Sequence, residues 1–377
     1  MDTYLGSQPP QRRMAAANTG MGLANGVFTN IETDIAPRVA DTPPTVDRLS
    51  VTVVTDSYHQ NFEASGTFAG VQVERYRLPP NNNPPRRTLQ NEWGLAMHLE
   101  STRGAETRRI LMDFGYTHET LNNNLDMLGI DSGRIDAMLL SHGHYDHFGG
   151  MVGFLQMHRR RLKPSLPFYL GGEECFCARE TGPVDSPRNF GALDRRAIAE
   201  ASLRVMFAGD PSLVADHGFT TGSIPEVSFE RPDRPSRMKV GIGEDGLGCA
   251  ADRLPANKRG APMMVDDFQH EHALCFNVKG RGLVVMTSCG HRGVINTVEA
   301  ALKVSGTSRL HAVLGGFHLM PLSPEYARET GEALAKFSPD CVIPMHCSGL
   351  AFFEAAKRAM PDKVLLTSTG TRFVFGT

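Results

Sequence analysis

Across 377 residues no block of lysine and arginine stands out, and the formal net charge is −2. A nucleic-acid partner, which needs a basic face, is therefore not expected. The densest basic run, HRRRLK at 158–163, reads as a solvated helix end. No apolar run approaches the roughly 20 residues of a membrane helix, so no membrane partner is expected either. A disulfide framework is also missing. The seven cysteines (Cys175, Cys177, Cys249, Cys275, Cys289, Cys341 and Cys347) are odd in number and scattered. The stretch QRRMAAANTGMGLANGVF is broken by glycine and asparagine and makes a poor export signal. Reduced thiols in a reducing compartment, and a cytoplasmic protein, are the expectation. No internal repeat is visible. What remains is ordinary globular material, 41% apolar and 21% charged.

The texture of the chain changes along its length. Residues 1–48 are rich in Pro, Gly, Asn, Thr and Ala without a sustained period and read as an irregular extension, ordered only where it touches the body or a partner. Residues 49–377 read as one large α/β domain. RLSVTVVTD opens it as a strand, and GLAMHLE with TRRILMDFG reads as a strand pair. YTHETLNNNLDMLGI has helical spacing, and RIDAMLL is a short apolar strand. HALCFNVKGRGLVVMTSCGH reads as two strands joined at Lys279-Gly280, RGVINTVEAALKVSG as a helix and RLHAVLGGFHLM as a strand. Ser323 and Pro324 open a further helix as N-cap and first residue. Between these lie residues 205–266, with little periodicity. They read as a loop-rich insert that could serve as a lid or binding loop.

At 141–150 the chain reads SHGHYDHFGG, directly after the apolar strand. Imidazoles and carboxylates are costly to bury without partners, so packing does not ask for His142, His144, Asp146 and His147 so close together. A metal ion does, because neutral imidazole nitrogens and carboxylate oxygens are the usual zinc donors. One ion could hardly use all four from so tight a turn, whereas two adjacent ions can. Further donors stand at strand ends: His291 after LVVMTSCG, His318 after AVLGGF and His346 after CVIPM. His270 and His272 in FQHEHAL are rivals for a ligand role, with Glu271 between them as a hydrogen-bond acceptor. Cys289 could bind or bridge metal as a thiolate, or be a buried thiol. Asp113 reads as a carboxylate that accepts a ligand histidine's other N–H and fixes its tautomer.

SHGHYDHFGG resembles the metal-binding signature of the metallo-beta-lactamase superfamily. More narrowly, EWGLAMHLE, ILMDFG, IDAMLLSHGHYDHFGG, FTTGSIP, GLVVMTSCGHRGVINTVEAA, GGFHL and PMHCSG resemble the branch of 7,8-dihydropterin-6-yl-methyl-4-(β-D-ribofuranosyl)aminobenzene-5′-phosphate synthase-like metallohydrolases, in family order from about residue 49 onward. The resemblance implies a four-layer αββα sandwich with a one- or two-metal site at the edge between its sheets. It implies His142 and His144 as ligands of a first site, and Asp146, His147 and His346 of a second. TSCGH stands where many members carry an aspartate, so Cys289 and His291 occupy that region. The third ligand of the first site then lies among His291, His272 and Cys289.

The expected chemistry is hydrolysis of an ester or phosphoester-type bond in a small, anionic metabolite by a metal-bound hydroxide. One or two divalent ions would serve, zinc first, with manganese or iron as alternatives. Asp146 would orient the water, and His318 would stabilise charge or donate a proton. Arg292, His318 and Ser348 are the candidate substrate contacts. Two other readings stand beside this one: a ribofuranosylaminobenzene 5′-phosphate synthase-type transferase, and a metal-bound binding or sensing protein with little turnover. An iron-based redox role is weaker, since no flavin partner motif is visible. A homodimer is left open.

Overall fold

The structure is a computed structural model and describes residues 31, 33–60, 63–78, 84–231 and 234–376. Two sheets lie face to face. Among the described residues ten strands form the first, in the spatial order Thr33–Ile35, Arg204–Phe207, Pro167–Leu170, Ala137–Leu139, Glu106–Met112, Ala96–Arg103, Arg48–Thr55, Arg372–Gly376, Val71–Glu74 and Gly66–Phe68. The second sheet runs Leu213–Val214, Gly218–Thr220, Leu274–Val278, Gly282–Thr287, Leu310–Gly316 and Cys341–Met345, with Thr45–Val46 pairing onto Leu274–Val278.

The period-2 alternation of the strands decides which side faces which layer. In Arg48–Thr55, Leu49, Val51 and Val53 point inward and join Met97, Leu99 and Met112. They meet Leu274, Phe276, Val284, Met286, Leu314 and Ile343 of the other sheet in a shared core. Val54, Ala96 and Leu111 point outward under the helices His118–Met127 and Met151–His158. Helices Val294–Ser305, Pro324–Lys336 and Gly349–Ala359 cover the outer face of the second sheet, with Val285, Val313 and Val342 beneath them. The architecture is therefore the αββα sandwich. Among the described residues no helix is long and apolar enough to cross a membrane.

Local chemistry explains the helix ends. Ser323 accepts a hydrogen bond from the Tyr326 N–H with Pro324 in the first turn, the arrangement expected of an N-cap followed by proline. Val294–Ser305 ends on Gly306 at φ +67°, a left-handed cap that glycine adopts without a Cβ penalty.

Three sequence expectations need correction. Residues 205–266 are not one loop-rich insert. Arg204–Phe207, Leu213–Val214 and Gly218–Thr220 are strands of the sandwich itself. Ser236–Lys239 and Met263–Val265 join Ala178–Thr181 and Arg188–Asn189 in a separate four-stranded sheet. Strands this short hold too few residues to show a period, and their pairing is long-range. The extension is also not wholly irregular. Thr33–Ile35 pairs in parallel with Arg204–Phe207, and Thr45–Val46 is a strand; residues 1–30 lie outside the described residues. Finally, the cysteines are not all free: Cys177 and Cys249 form a disulfide, while Cys175, Cys275, Cys289, Cys341 and Cys347 are free and buried.

The disulfide lies at the small sheet, beside a set of buried ion pairs. Arg179 reaches Asp266 at 2.6 Å, Arg195 pairs with Glu173, and Lys258 bridges Glu174 at 2.9 Å and Asp267 at 2.5 Å. Removing one partner of such a pair strands a buried charge. His270 belongs to this network, with Nε2 3.0 Å from Arg179.

Candidate metal centre

The strand Ala137–Leu139 delivers Ser141 to His144 at the sheet edge, and the short helix Tyr145–Phe148 turns Asp146 and His147 back toward them. Gly143 sits between the two histidines because a Cβ there would lie 2.4 Å from an Arg179 guanidinium nitrogen and 2.9 Å from the Cys175 carbonyl oxygen. Three strands of the second sheet then end beside this turn. Gly282–Thr287 leads to Cys289 and His291, Leu310–Gly316 to His318, and Cys341–Met345 to His346 and Cys347.

The donors converge in four overlapping groups, each with its ligand atoms within 4.8 Å of one another: His142, His144 and His291; Asp146, His147 and His346; His142, His147 and Cys289; and Cys289, His318 and Cys347. Hydrogen bonds on the far side of each ring set which nitrogen faces inward. His147 Nδ1 donates to Asp113 Oδ2 at 2.9 Å, so Nε2 faces Cys289 Sγ at 3.2 Å. His346 Nδ1 lies 3.2 Å from Ser57 Oγ, and its Nε2 lies 3.2 Å from Asp146 Oδ2. His142 Nδ1 lies 3.0 Å from Ser141 Oγ, leaving Nε2 inward. In His144 the sense is reversed: Nε2 meets Ser236 Oγ of the small sheet at 2.9 Å, so Nδ1 is its donor.

Among the described residues several buried atoms have no hydrogen-bond partner: His142 Nε2, Asp146 Oδ1 and both ring nitrogens of His291. Orphaned buried polar atoms are rare and call for an explanation. A bound cation supplies one, because all of these are metal donors. The donor set of neutral imidazoles, one carboxylate and a sulfur fits a zinc-type ion.

The electrostatics agree for His142, His144 and His291. Burial, reinforced by the neighbouring His147 and His144, holds His142 well below the ordinary histidine range. Burial likewise drops His144 to about 3 and, with His318, pushes His291 far down. These three rings are therefore neutral, the form that binds a cation, and no proton need be displaced. Burial would raise Asp146, but His147 and His346 hold its carboxyl below the usual range. Burial would lower His346, but Cys347 and Asp146 raise it to about 9.

Support for the ligands comes from Asp113 and Glu271, both expected as acceptors, and from residues the sequence did not signal. Asp113, at φ +60°, accepts from Ser141 N at 2.7 Å, Ser141 Oγ at 2.8 Å, His147 Nδ1 and Ser288 Oγ. Glu271 accepts the backbone N–H of His291 at 3.0 Å and of Arg292 at 2.7 Å, fixing the turn that carries His291. Phe268 stacks on the His291 ring, centroids 3.9 Å apart. Asp56, not anticipated from sequence, accepts the His346 N–H at 2.9 Å. Trp93, also unanticipated, lies 4.8 Å from the His346 ring and is 47% exposed.

Other expected residues sit elsewhere. His272 Nε2 bonds the Leu140 carbonyl at 3.0 Å, and His272 joins none of the four groups. Arg292 is not a free anion anchor. Its guanidinium bonds the Ile224 and Asp267 carbonyls at 2.9 Å and Glu226 at 2.7 Å. Ser348 is likewise committed, accepting from the Phe317 N–H at 3.1 Å and donating to the Gly315 carbonyl at 3.2 Å. His318, at φ +48°, turns toward Cys289 and Cys347, with its ring 4.1 Å from that of His291.

A family model described as the metallo-beta-lactamase superfamily matches residues 104–158. The chain is 25% identical over 265 residues, 69% of its length and 82% of the relative's, to 7,8-dihydropterin-6-methyl-4-(beta-D-ribofuranosyl)-aminobenzene-5′-phosphate synthase of Methanocaldococcus jannaschii. It is 26% identical over 247 residues, 64% of its length and 80% of the other's, to an uncharacterized protein of the same organism. Among solved structures it resembles a metal-dependent hydrolase of the beta-lactamase superfamily, with a TM-score of 0.60 and 21% identity over 86% of this chain and 98% of that one. With two helix-covered sheets and the donor-bearing turn at their shared edge, the chain has the metallo-beta-lactamase fold, and its residues 104–158 match that superfamily's model.

Proposed function

We propose that this protein is a metal-dependent hydrolase that cleaves an ester or phosphoester bond in a small metabolite. The observation that carries the reading is the meeting of His142, His144 and His291 with Asp146, His147 and His346 around one turn. His142, His144, His291, Asp146, His147 and His346 would hold a divalent ion, zinc by the donor chemistry, and it would supply Lewis acidity and an acidified water. The chain supplies the rest. Asp113 and Ser57 set the ring nitrogens that His147 and His346 present. Burial keeps His142, His144 and His291 unprotonated. The ionised Asp146 keeps Oδ1 without a partner, where it can accept a hydrogen bond from the attacking water and orient it.

A cavity of about 360 Å³ adjoins His346 and bears on the substrate. Tyr58, Met320, Pro344, Leu350, Phe353 and Leu366 line it, and among the described residues no lysine or arginine does. The wall suits an apolar or aromatic portion of the substrate, with the scissile bond toward Asp146. A second reading draws on the likeness to the archaeal synthase: a transferase that builds a ribofuranosylaminobenzene phosphate, whose ring would fit the same cavity.

The test is a panel of phosphoesters, carboxylic esters and lactones offered to protein loaded with zinc, manganese or iron. We expect turnover that falls to background when His142 and His147 are both replaced by alanine. Absence of turnover on every member with every metal would refute the hydrolase. Product formed from phosphoribosyl pyrophosphate and an aminobenzoate would instead establish the transferase.

A further inference from the structure

Two cysteines lie side by side where the ligand-bearing strands meet. Cys289 and Cys347 are 2% and 1% exposed, and their sulfurs are 3.4 Å apart without a bond between them. His318 completes a set whose donor atoms all fall within 4.8 Å of one another. A tetrahedral zinc with sulfur and nitrogen ligands holds its donors about 3.3 to 3.8 Å apart, as follows from its bond lengths. Two sulfurs take the upper end, about 3.8 Å, so the pair at 3.4 Å would part by about 0.4 Å to hold an ion.

The backbone points the same way. His318 and His346, the residue preceding Cys347, both lie in the left-handed region, at φ +48° and +46°. Non-glycine residues adopt it where the surroundings hold them, often at functional sites. The His318 N–H lies 3.3 Å from Cys347 Sγ, which ties the two strand ends together. Gly316 leaves room for the arrangement, because a Cβ there would come within 2.8 Å of Cys347 Sγ. His318 also lines a narrow crevice with His291, Gly290, Leu319, Leu322 and Tyr326.

We propose that Cys289, His318 and Cys347 form an additional, sulfur-rich metal site, which shares the Cys289 sulfur with the centre built on His142 and His147. Thiolate and imidazole select soft or borderline ions such as zinc and cuprous copper over magnesium or calcium. The cluster would add one cation position to the proposed centre, with the Cys289 sulfur as the donor the two share. The inference rests on the proposed metal centre only through Cys289.

The experiment loads the chelator-treated, full-length protein with cobalt(II) and reads two quantities together. One is the number of ions retained per chain after dialysis. The other is the thiolate-to-cobalt charge-transfer absorption. The expected result is a thiolate-to-cobalt band in the wild type, with C347S and H318Q each retaining one ion fewer than the wild type and showing a weaker band. Absence of that band in the saturated wild type overturns the proposal, and this measurement needs no folded variant. Equal ion counts with an undiminished band in both variants also overturn it. Hydrolytic activity distinguishes the two readings. An active enzyme whose variants keep the wild-type count and band sinks the additional position alone, whereas an inactive one whose variants lose an ion sinks only the hydrolase.

Discussion

Asp113 offers a sharp test of how the second coordination layer controls this centre. One of its oxygens accepts the Ser141 N–H, and the other gathers Ser141 Oγ, His147 Nδ1 and Ser288 Oγ. In D113A the two hydroxyls have alternatives, because Ser141 Oγ lies 3.0 Å from His142 Nδ1 and Ser288 Oγ lies 3.0 Å from His147 Nδ1. The Ser141 N–H has none and becomes an orphan in a fully buried position. Lost charge-assisted bonds, one stranded donor and an alanine at positive φ together cost about 3 to 6 kcal/mol. D113N behaves differently. Asparagine tolerates the left-handed backbone, and its oxygen can keep the Ser141 N–H, so folding suffers by only about 1 to 3 kcal/mol. Its NH2 group then faces His147 Nδ1. That nitrogen must become an acceptor, which moves the ring proton to Nε2, the atom that should grip the cation. Zinc affinity should fall by at least about 10- to 100-fold. Chelator competition gives the affinity, denaturant melts of the metal-free proteins give the stability, and nitrogen-15 NMR gives the tautomer. Wild-type zinc affinity in D113N, or a smaller folding cost in D113A than in D113N, would refute the reasoning.

Other predictions follow from the same geometry. Burial drops His98 and His272 to about 4 and His144 to about 3, from 6.5. The unfolded chain therefore binds protons that the folded chain refuses as pH falls from about 6.5 toward 4, and each ring removes about 1.4 kcal/mol of stability per pH unit. Chelator-treated protein should unfold at lower denaturant at pH 5 than at pH 7; an unchanged or higher midpoint would contradict the assignment. Trp93 is the single tryptophan and lies 4.8 Å from the His346 ring. Cobalt(II) should therefore quench the intrinsic fluorescence saturably, and W93F should lose that signal while still binding metal by chelator competition. The Cys177–Cys249 disulfide closes a loop spanning 72 positions, worth about 4 kcal/mol by chain entropy. Reduction, or C177S, should lower the denaturation midpoint, and an unaltered midpoint would show that the bond adds nothing.

Much of the centre was legible because its signal is local. His142, His144, Asp146 and His147 fall within six positions, and His291 and His346 each follow an apolar run that could only be a strand. Asp113 was legible for the same reason, as the polar residue ending a strand. The αββα layers showed through the alternation of valine and leucine in strands such as Arg48–Thr55. What stayed hidden depends on contacts far apart in the chain. Leu213–Val214 and Gly218–Thr220 are too short to carry a period and exist by pairing with each other and with Leu274–Val278. The partner of Cys177 lies 72 positions away, with no spacing rule to suggest it. Arg292 looked available because it adjoins His291, but its acceptors come from Ile224, Glu226 and Asp267. Cys347 was overlooked although it follows His346 directly; a sulfur beside a ligand at a strand end was the available signal. Asp56 had none, because its role is to hold the backbone of a residue 290 positions away.

The hydroxyl of Ser236 reaches from the small sheet to one nitrogen of His144, and this has a bearing on how the protein matures. That imidazole obtains its orientation from a strand synthesised about ninety residues later, inside an appendage with its own cross-link and buried charges. A nascent chain could thus collapse its two principal sheets and still lack a properly aimed first ligand. Cation capture should then report the docking of the appendage, so that a proteolytic cut between Ser236 and Cys249 would loosen the ion before it loosens the sandwich.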